Sequence, residues 1–282
     1  MLNNSHPDLS ISDLFRGDLQ LASPPSVYFE LQKIIEQPTK TIADAAFVIE
    51  KDAALTLRLL RIVNSAFYGF PSKITSIDRA INLIGTKELQ NIVLGTIVID
   101  RFSDLPSDII SMHDFWARNL RCSLIAQGID EYLGKQFSDS IFVCGILHNI
   151  GQLVFFRRIP ELAKEVGLML QADDGPAELE EIIFEKNIIG FDHYAAGAAL
   201  TKLWKLPEII NESIRLHPFP DNTESYFQIA SILRLADFYS KLDEIHIELE
   251  DSNLNIPIAD MSDIIDKAYD KFEEIFKVFY SG

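Results

Sequence analysis

The stretch SIFVCGILHNIGQLVFF, residues 140–156, is apolar on every face except at His148, Asn149 and Gln152. It has no alternating pattern that would place it in a half-exposed strand, and it is too short and too interrupted to span a membrane. It reads as a buried helix, opened at Ser138 and ended by Pro160. A second stretch of the same kind, YFQIASILRLADFYSKL at residues 226–242, carries Asp237. Two such helices need other helices around them to cover their faces, and the rest of the chain supplies these.

Thr41 with Asp44 forms a capping arrangement ahead of IADAAFVIE. Asp52 starts a helix that stops near Gly69 and Pro71. Thr86 opens one ending around Arg101, and Ser111 with Asp114 opens a long one reaching Gly134. Pro207 and Pro218 bracket another, and two more cover roughly 224–241 and 261–279. The fold class is all-α, a bundle of some twelve helices. A Pro- and Asp-containing turn at Asp104–Asp108 suggests a seam. The organisation expected is an N-terminal helical part at 1–104, a second helical part at 105–242, and an acidic segment with a C-terminal helix at 243–282.

Of the 282 residues, 42 are acidic and 25 basic, for a net charge of −17. A phosphate-rich duplex or an anionic bilayer would repel such a surface, so no nucleic acid and no membrane is expected as a partner. Residues 151–282 hold 25 acidic and 12 basic groups, which points to a partner with a basic surface. Cys122 and Cys144 have neither disulfide nor metal spacing, and the N-terminus has no secretory pattern, so the expected location is cytoplasmic. There is no GxxxxGKS phosphate loop and no assignable Ser-His-Asp order.

Polar groups within the two apolar helices need partners, because an unpaired buried carboxylate costs several kcal/mol or changes its protonation. His148 has a quiet reading as a core histidine bonded to a carbonyl. Asp237 has one in salt bridges to Arg234 or Lys241. Gly145 and Gly151, three residues either side of His148, leave room for a close approach. Trp116 and Trp204 read as packing residues, and Asn64 with Ser65 as a helix end.

The segment LHNIG resembles the His-Asp signature of HD metal-dependent phosphohydrolases. From about Ala22 to Lys241 the chain resembles the HDOD family, HD-related output domains of bacterial signalling. The blocks that carry it are SPPSVYFELQKII (23–35), IEKDAALTLRLLRIVNSAFYG (49–69), SIDRAINLIGTKEL (76–89), FWARNLRCSLIA (115–126), GILHNIGQLVF (145–155) and HYAAGAALTKLWKLPEIINESIRLHP (193–218). The resemblance implies an HD-domain-like bundle with an N-terminal helical subdomain.

Active HD enzymes use an H…HD…D ligand set, and HD-GYP phosphodiesterases add further histidines. Carried onto this chain, the first histidine is Arg118, the second is His148, and its neighbouring aspartate is Asn149. The histidine of the HYAAG block is His193, the following His-His pair is reduced to His217 with Pro218, and the final aspartate is Asp237. Arg118 shares a helical stripe with Phe115, Cys122, Ile125 and Ile129, so it points inward, where its guanidinium is expected to pair with Asp237.

The resulting expectation is a non-catalytic regulatory module that binds a signalling protein, or a small ligand such as a nucleotide. Arg118, His148, Asn149 and Asp237 would form a degenerate cleft with no catalytic residue and no cofactor. The alternative is a metal-dependent phosphohydrolase holding iron, manganese or a similar ion on His148, His193, His217 and Asp237.

Overall fold

A computed structural model of the protein describes residues 9–65, 68–105, 110–137, 140–172, 177–242 and 254–280. Along the chain a 3-10 helix (Ile11–Phe15) is followed by α1 (Leu19–Ala22), α2 (Ser26–Ile35), α3 (Ile42–Glu50), α4 (Ala53–Val63), α5 (Ile77–Ile84) and α6 (Thr86–Arg101). The middle of the chain forms α7 (Met112–Tyr132), α8 (Ile141–Leu147), α9 (Ile150–Arg158) and α10 (Pro160–Ala172). Then come α11 (Ala177–Ile188), α12 (His193–Leu203), α13 (Glu208–Leu216), α14 (Phe227–Ser240) and α15 (Ile258–Tyr280). No strand occurs among the described residues, so the all-α class holds. None of their helices is long and apolar enough to cross a membrane.

Local sequence signals set several helix starts. The Asp44 carboxylate accepts the Thr41 backbone N–H at 2.8 Å, while the Thr41 hydroxyl accepts the Asp44 N–H at 3.3 Å, a reciprocal cap that opens α3. Asp52 accepts the Leu55 N–H at 3.0 Å and opens α4. At the far end of α4, the Asn64 amide donates to the carbonyls of Leu60 (2.6 Å) and Ile74 (2.8 Å) and accepts the Ile74 N–H at 2.7 Å. Asn64 thus ties the helix end to the returning chain ten residues on, while the Ser65 hydroxyl donates back to the Ile62 carbonyl.

One expectation is corrected. The apolar stretch around His148 is not one helix running to Pro160. It is α8 and α9, separated by a turn at His148–Asn149, and Pro160 opens α10. Asn149 is the N-cap of α9, with φ −102° and ψ 14°. An apolar run carries no periodic signal that would reveal such a break. The expected start at Ser138, much of the Asp104–Asp108 seam and residues 243–253 of the acidic segment lie outside the described residues.

The chain forms two units, each built from separated stretches. One contains the 3-10 helix, α1 and α9 to α13. In it α12 packs against both α9 and α13, and the Trp204 indole donates to the Leu21 carbonyl at 2.7 Å. Gly151 is required here, because any Cβ would collide with the His193 carbonyl where α9 crosses α12.

The other unit contains α2 to α8, α14 from Ser231, and α15. Its α6 is buried continuously from Leu89 to Thr96, with polar Gln90 and Asn91 inside. Gly145 of α8 lies against Ser123 of α7, where a Cβ would come within 2.5 Å of the serine Cα. The Asn119 amide fixes the same crossing by donating to the Ile146 carbonyl at 3.0 Å. Cys122 and Cys144 are both buried.

Candidate functional site

In the unit that holds α9 to α13, the turn between α8 and α9 places His148 and Asn149 in the interior, both essentially without exposure. The His148 ring meets His217 edge-on, with centroids 5.4 Å apart, and His217 meets Tyr194 at 4.6 Å. His217 Nδ1 lies 2.9 Å from the Ile214 carbonyl. A carbonyl only accepts, so Nδ1 carries a proton and, in the neutral ring, Nε2 is the nitrogen with the lone pair. The amide of Asn149 makes no side-chain cap, and neither its Nδ2 nor its Oδ1 has a hydrogen-bond partner among the described residues. An unsatisfied buried amide costs roughly 1–3 kcal/mol.

His193 begins α12, whose N-cap Asp192 accepts the Ala195 N–H at 2.8 Å. His193 Nδ1 sits 2.9 and 2.8 Å from the two oxygens of Glu185, and the His193 backbone N–H donates to the same carboxylate at 2.9 Å. Burial pulls the imidazole pKa down, but Glu185, with Glu181 and Asp192 behind it, outweighs that and leaves His193 above its usual value. Burial raises the Glu185 carboxyl, and His193 only partly offsets the rise. On the far side of the ring, His193 Nε2 is buried without a partner among the described residues.

Glu181 lies one turn before Glu185 on α11 and accepts a hydrogen bond from the Gln152 amide at 2.6 Å. The sequence reading missed Glu181, Glu185 and Gln152. The available signal was a carboxylate in the apolar run IIFEKNII, where a surface helix would have set it on the outer face.

In the other unit, Arg118 of α7 reaches Asp237 of α14. The guanidinium Nη2 lies 3.2 Å from Oδ1, and Lys241 Nζ lies 2.6 Å from Oδ2. Asp237 is 1% exposed and the Arg118 side chain 30%, so the carboxylate is interior and the side chain that reaches it is partly exposed. The quiet partner Lys241 and the inward-pointing Arg118 are therefore both present. Beside them the Cys122 thiol is pushed well above its usual pKa, first by burial and then by the charge of Asp237.

Comparisons with known proteins match this architecture. A family model for the HDOD domain matches residues 21–220. A protein of Treponema pallidum (strain Nichols), described as uncharacterized, is 32% identical over 217 residues, covering 76% of this chain and 40% of its own. The chain thus spans about two-fifths of the length of that curated relative.

Among solved structures, a candidate phosphohydrolase of Shewanella amazonensis SB2B superposes with a TM-score of 0.74 at 22% identity, covering 93% of this chain and 99% of that one. An HDOD domain protein of unknown function from Geobacter sulfurreducens gives 0.71 at 23%, covering 91% of each. A candidate signal transduction protein of Marinobacter aquaeolei VT8 gives 0.67 at 16%, covering 93% of this chain and 60% of that one. At these identities the likeness is one of fold.

Proposed function

Because the chain belongs to the HDOD domain family, we propose that it is a non-catalytic signalling module that acts by binding a protein partner. The observation that carries this reading is the environment of Asp237, the position that matches the final aspartate of the HD ligand set. Each of its oxygens is engaged by a cation, Arg118 on one side and Lys241 on the other. A metal at Asp237 would have to compete with both, and the fixed charge of Arg118 would repel it.

Asn149 supports the same reading. A carboxylate at that position would bridge two ions and hold the attacking water between them, whereas an amide offers one neutral oxygen. The donor set therefore does not fit a two-metal phosphohydrolase centre. With hydrolysis set aside, the acidity of residues 151–282 favours a partner that presents a basic surface.

Manganese or iron(II) titrated into the chelator-treated protein tests the reading through Asp237. The expected result is the same isotherm for wild type and Asp237→Asn. An ion whose binding disappears in Asp237→Asn would overturn it.

A further inference from the structure

The helices α9, α10 and α11 enclose a cavity of about 400 Å³. Its walls are apolar at Phe155, Ala163 and Val166, and Gln152, Glu181 and Glu185 supply a cluster of polar groups in its lining. Glu181 and Glu185 stand four residues apart, hence on one face of α11. One ligand atom from each, together with one from His193, all fall within 4.8 Å of one another.

Glu185 holds the imidazole directly, and Glu181, part-buried beside it, adds a second carboxylate within reach of the same nitrogen. Neither forms an ion pair with a lysine or arginine among the described residues; nearby Lys186 is taken by Asp192 at 3.1 Å. Lys164 also lines the cavity, from α10. Even with His193 protonated, the group of three carries a net negative charge in surroundings where an unbalanced charge is expensive.

We propose that Glu181, Glu185 and His193 Nδ1 form a binding site for a divalent transition-metal ion that opens onto this cavity. The ion takes the place of the proton that Nδ1 shares with Glu185, and that proton passes to solvent as the metal enters. Two carboxylate oxygens and one imidazole nitrogen, with no thiolate, suit zinc, cobalt, manganese or iron(II). The Gln152 amide, already 2.6 Å from Glu181, orients that carboxylate from outside the ligand set. Remaining coordination positions face the cavity. The site is independent of Asp237 and goes beyond the signalling role proposed above.

The test is cobalt(II) titration of the full chain after chelation, followed by its visible absorption and by calorimetry, with thermal unfolding as a control for the fold. Wild type, Asp237→Asn and His148→Ala should each bind one ion, and Glu181→Gln should weaken binding by about tenfold or more. Gln152→Glu, which adds a carboxylate, should tighten it. Unchanged affinity in folded Glu181→Gln, or no binding by wild type, would overturn the proposal. Binding lost in Asp237→Asn but kept in Glu181→Gln would overturn it together with the signalling reading. Absence of any cobalt binding would leave the signalling reading standing.

Discussion

The guanidinium of Arg118 sits 3.2 Å from the carboxylate of Asp237, 119 residues away in the chain, and Lys241 holds the opposite oxygen of the same carboxylate. Removing Arg118 leaves a buried carboxylate with one cation in place of two. Breaking a buried pair costs about 3–5 kcal/mol, but Arg118 is partly exposed and Lys241 remains. Arg118→Ala is therefore expected to lose about 1–3 kcal/mol in urea unfolding, and the Arg118→Ala/Lys241→Ala double variant more than the sum of the singles. Strict additivity would show that the two cations do not share the carboxylate.

Asn149 is expected to behave in the opposite sense. Its amide is buried without partners among the described residues and caps nothing, so an apolar side chain of similar size should fit better. Asn149→Leu is predicted to raise stability by about 1 kcal/mol or more. A loss of similar size would mean that the amide is satisfied by a bound group in the purified protein.

The crossing of α9 over α12 leaves no space at Gly151. Gly151→Ala should cost about 3 kcal/mol, because the obstruction is the His193 backbone carbonyl and not the end of a flexible side chain. Asn64→Ala, which removes two hydrogen bonds joining α4 to Ile74 and a third to the Leu60 carbonyl within α4, should cost about 2–3 kcal/mol. Equilibrium unfolding checks both, and neutral variants at either position would contradict the packing described.

The Glu185–His193 pair gives stability a pH dependence. His193 is raised above 6.5 in the folded chain, so its contribution is complete below 6.5 and declines as pH rises through the folded value. Glu185, raised above 4.5, acts in the same direction, since ionising it in the folded state becomes the more costly course as pH rises. In chelator, the unfolding free energy of wild type should fall more steeply above pH 6.5 than that of Glu185→Gln. Parallel curves would show that the pair does not titrate together.

How much of this was legible in the sequence depended on the distance over which each interaction acts. The caps at Thr41 and Asp52 are three-residue patterns and were readable directly. The pairing of Arg118 with Asp237 was readable despite their separation because the resemblance to the HD ligand pattern sets both in one cleft, whereas the helical stripe alone offered Asp237 only Arg234 or Lys241. The break at His148–Asn149 was hidden by the very apolarity that marked the segment as central. The enclosure of α6 was hidden for the converse reason: Gln90, Asn91 and Thr96 are polar, yet all three are buried, with Gln90 donating to the Tyr28 carbonyl at 3.3 Å. Glu185 escaped notice because a glutamate on a helix ordinarily faces water, and only the start of α12 brings His193 to it.

The measurement that bears most directly on the central claim is phosphodiester turnover with manganese or iron(II) supplied in excess. It should compare wild type, His148→Ala, and an Arg118→His/Asn149→Asp variant that restores two residues of the HD ligand pattern. The account predicts no turnover above the metal-only background for wild type, and none for His148→Ala. Wild-type hydrolysis that is abolished by His148→Ala would contradict it.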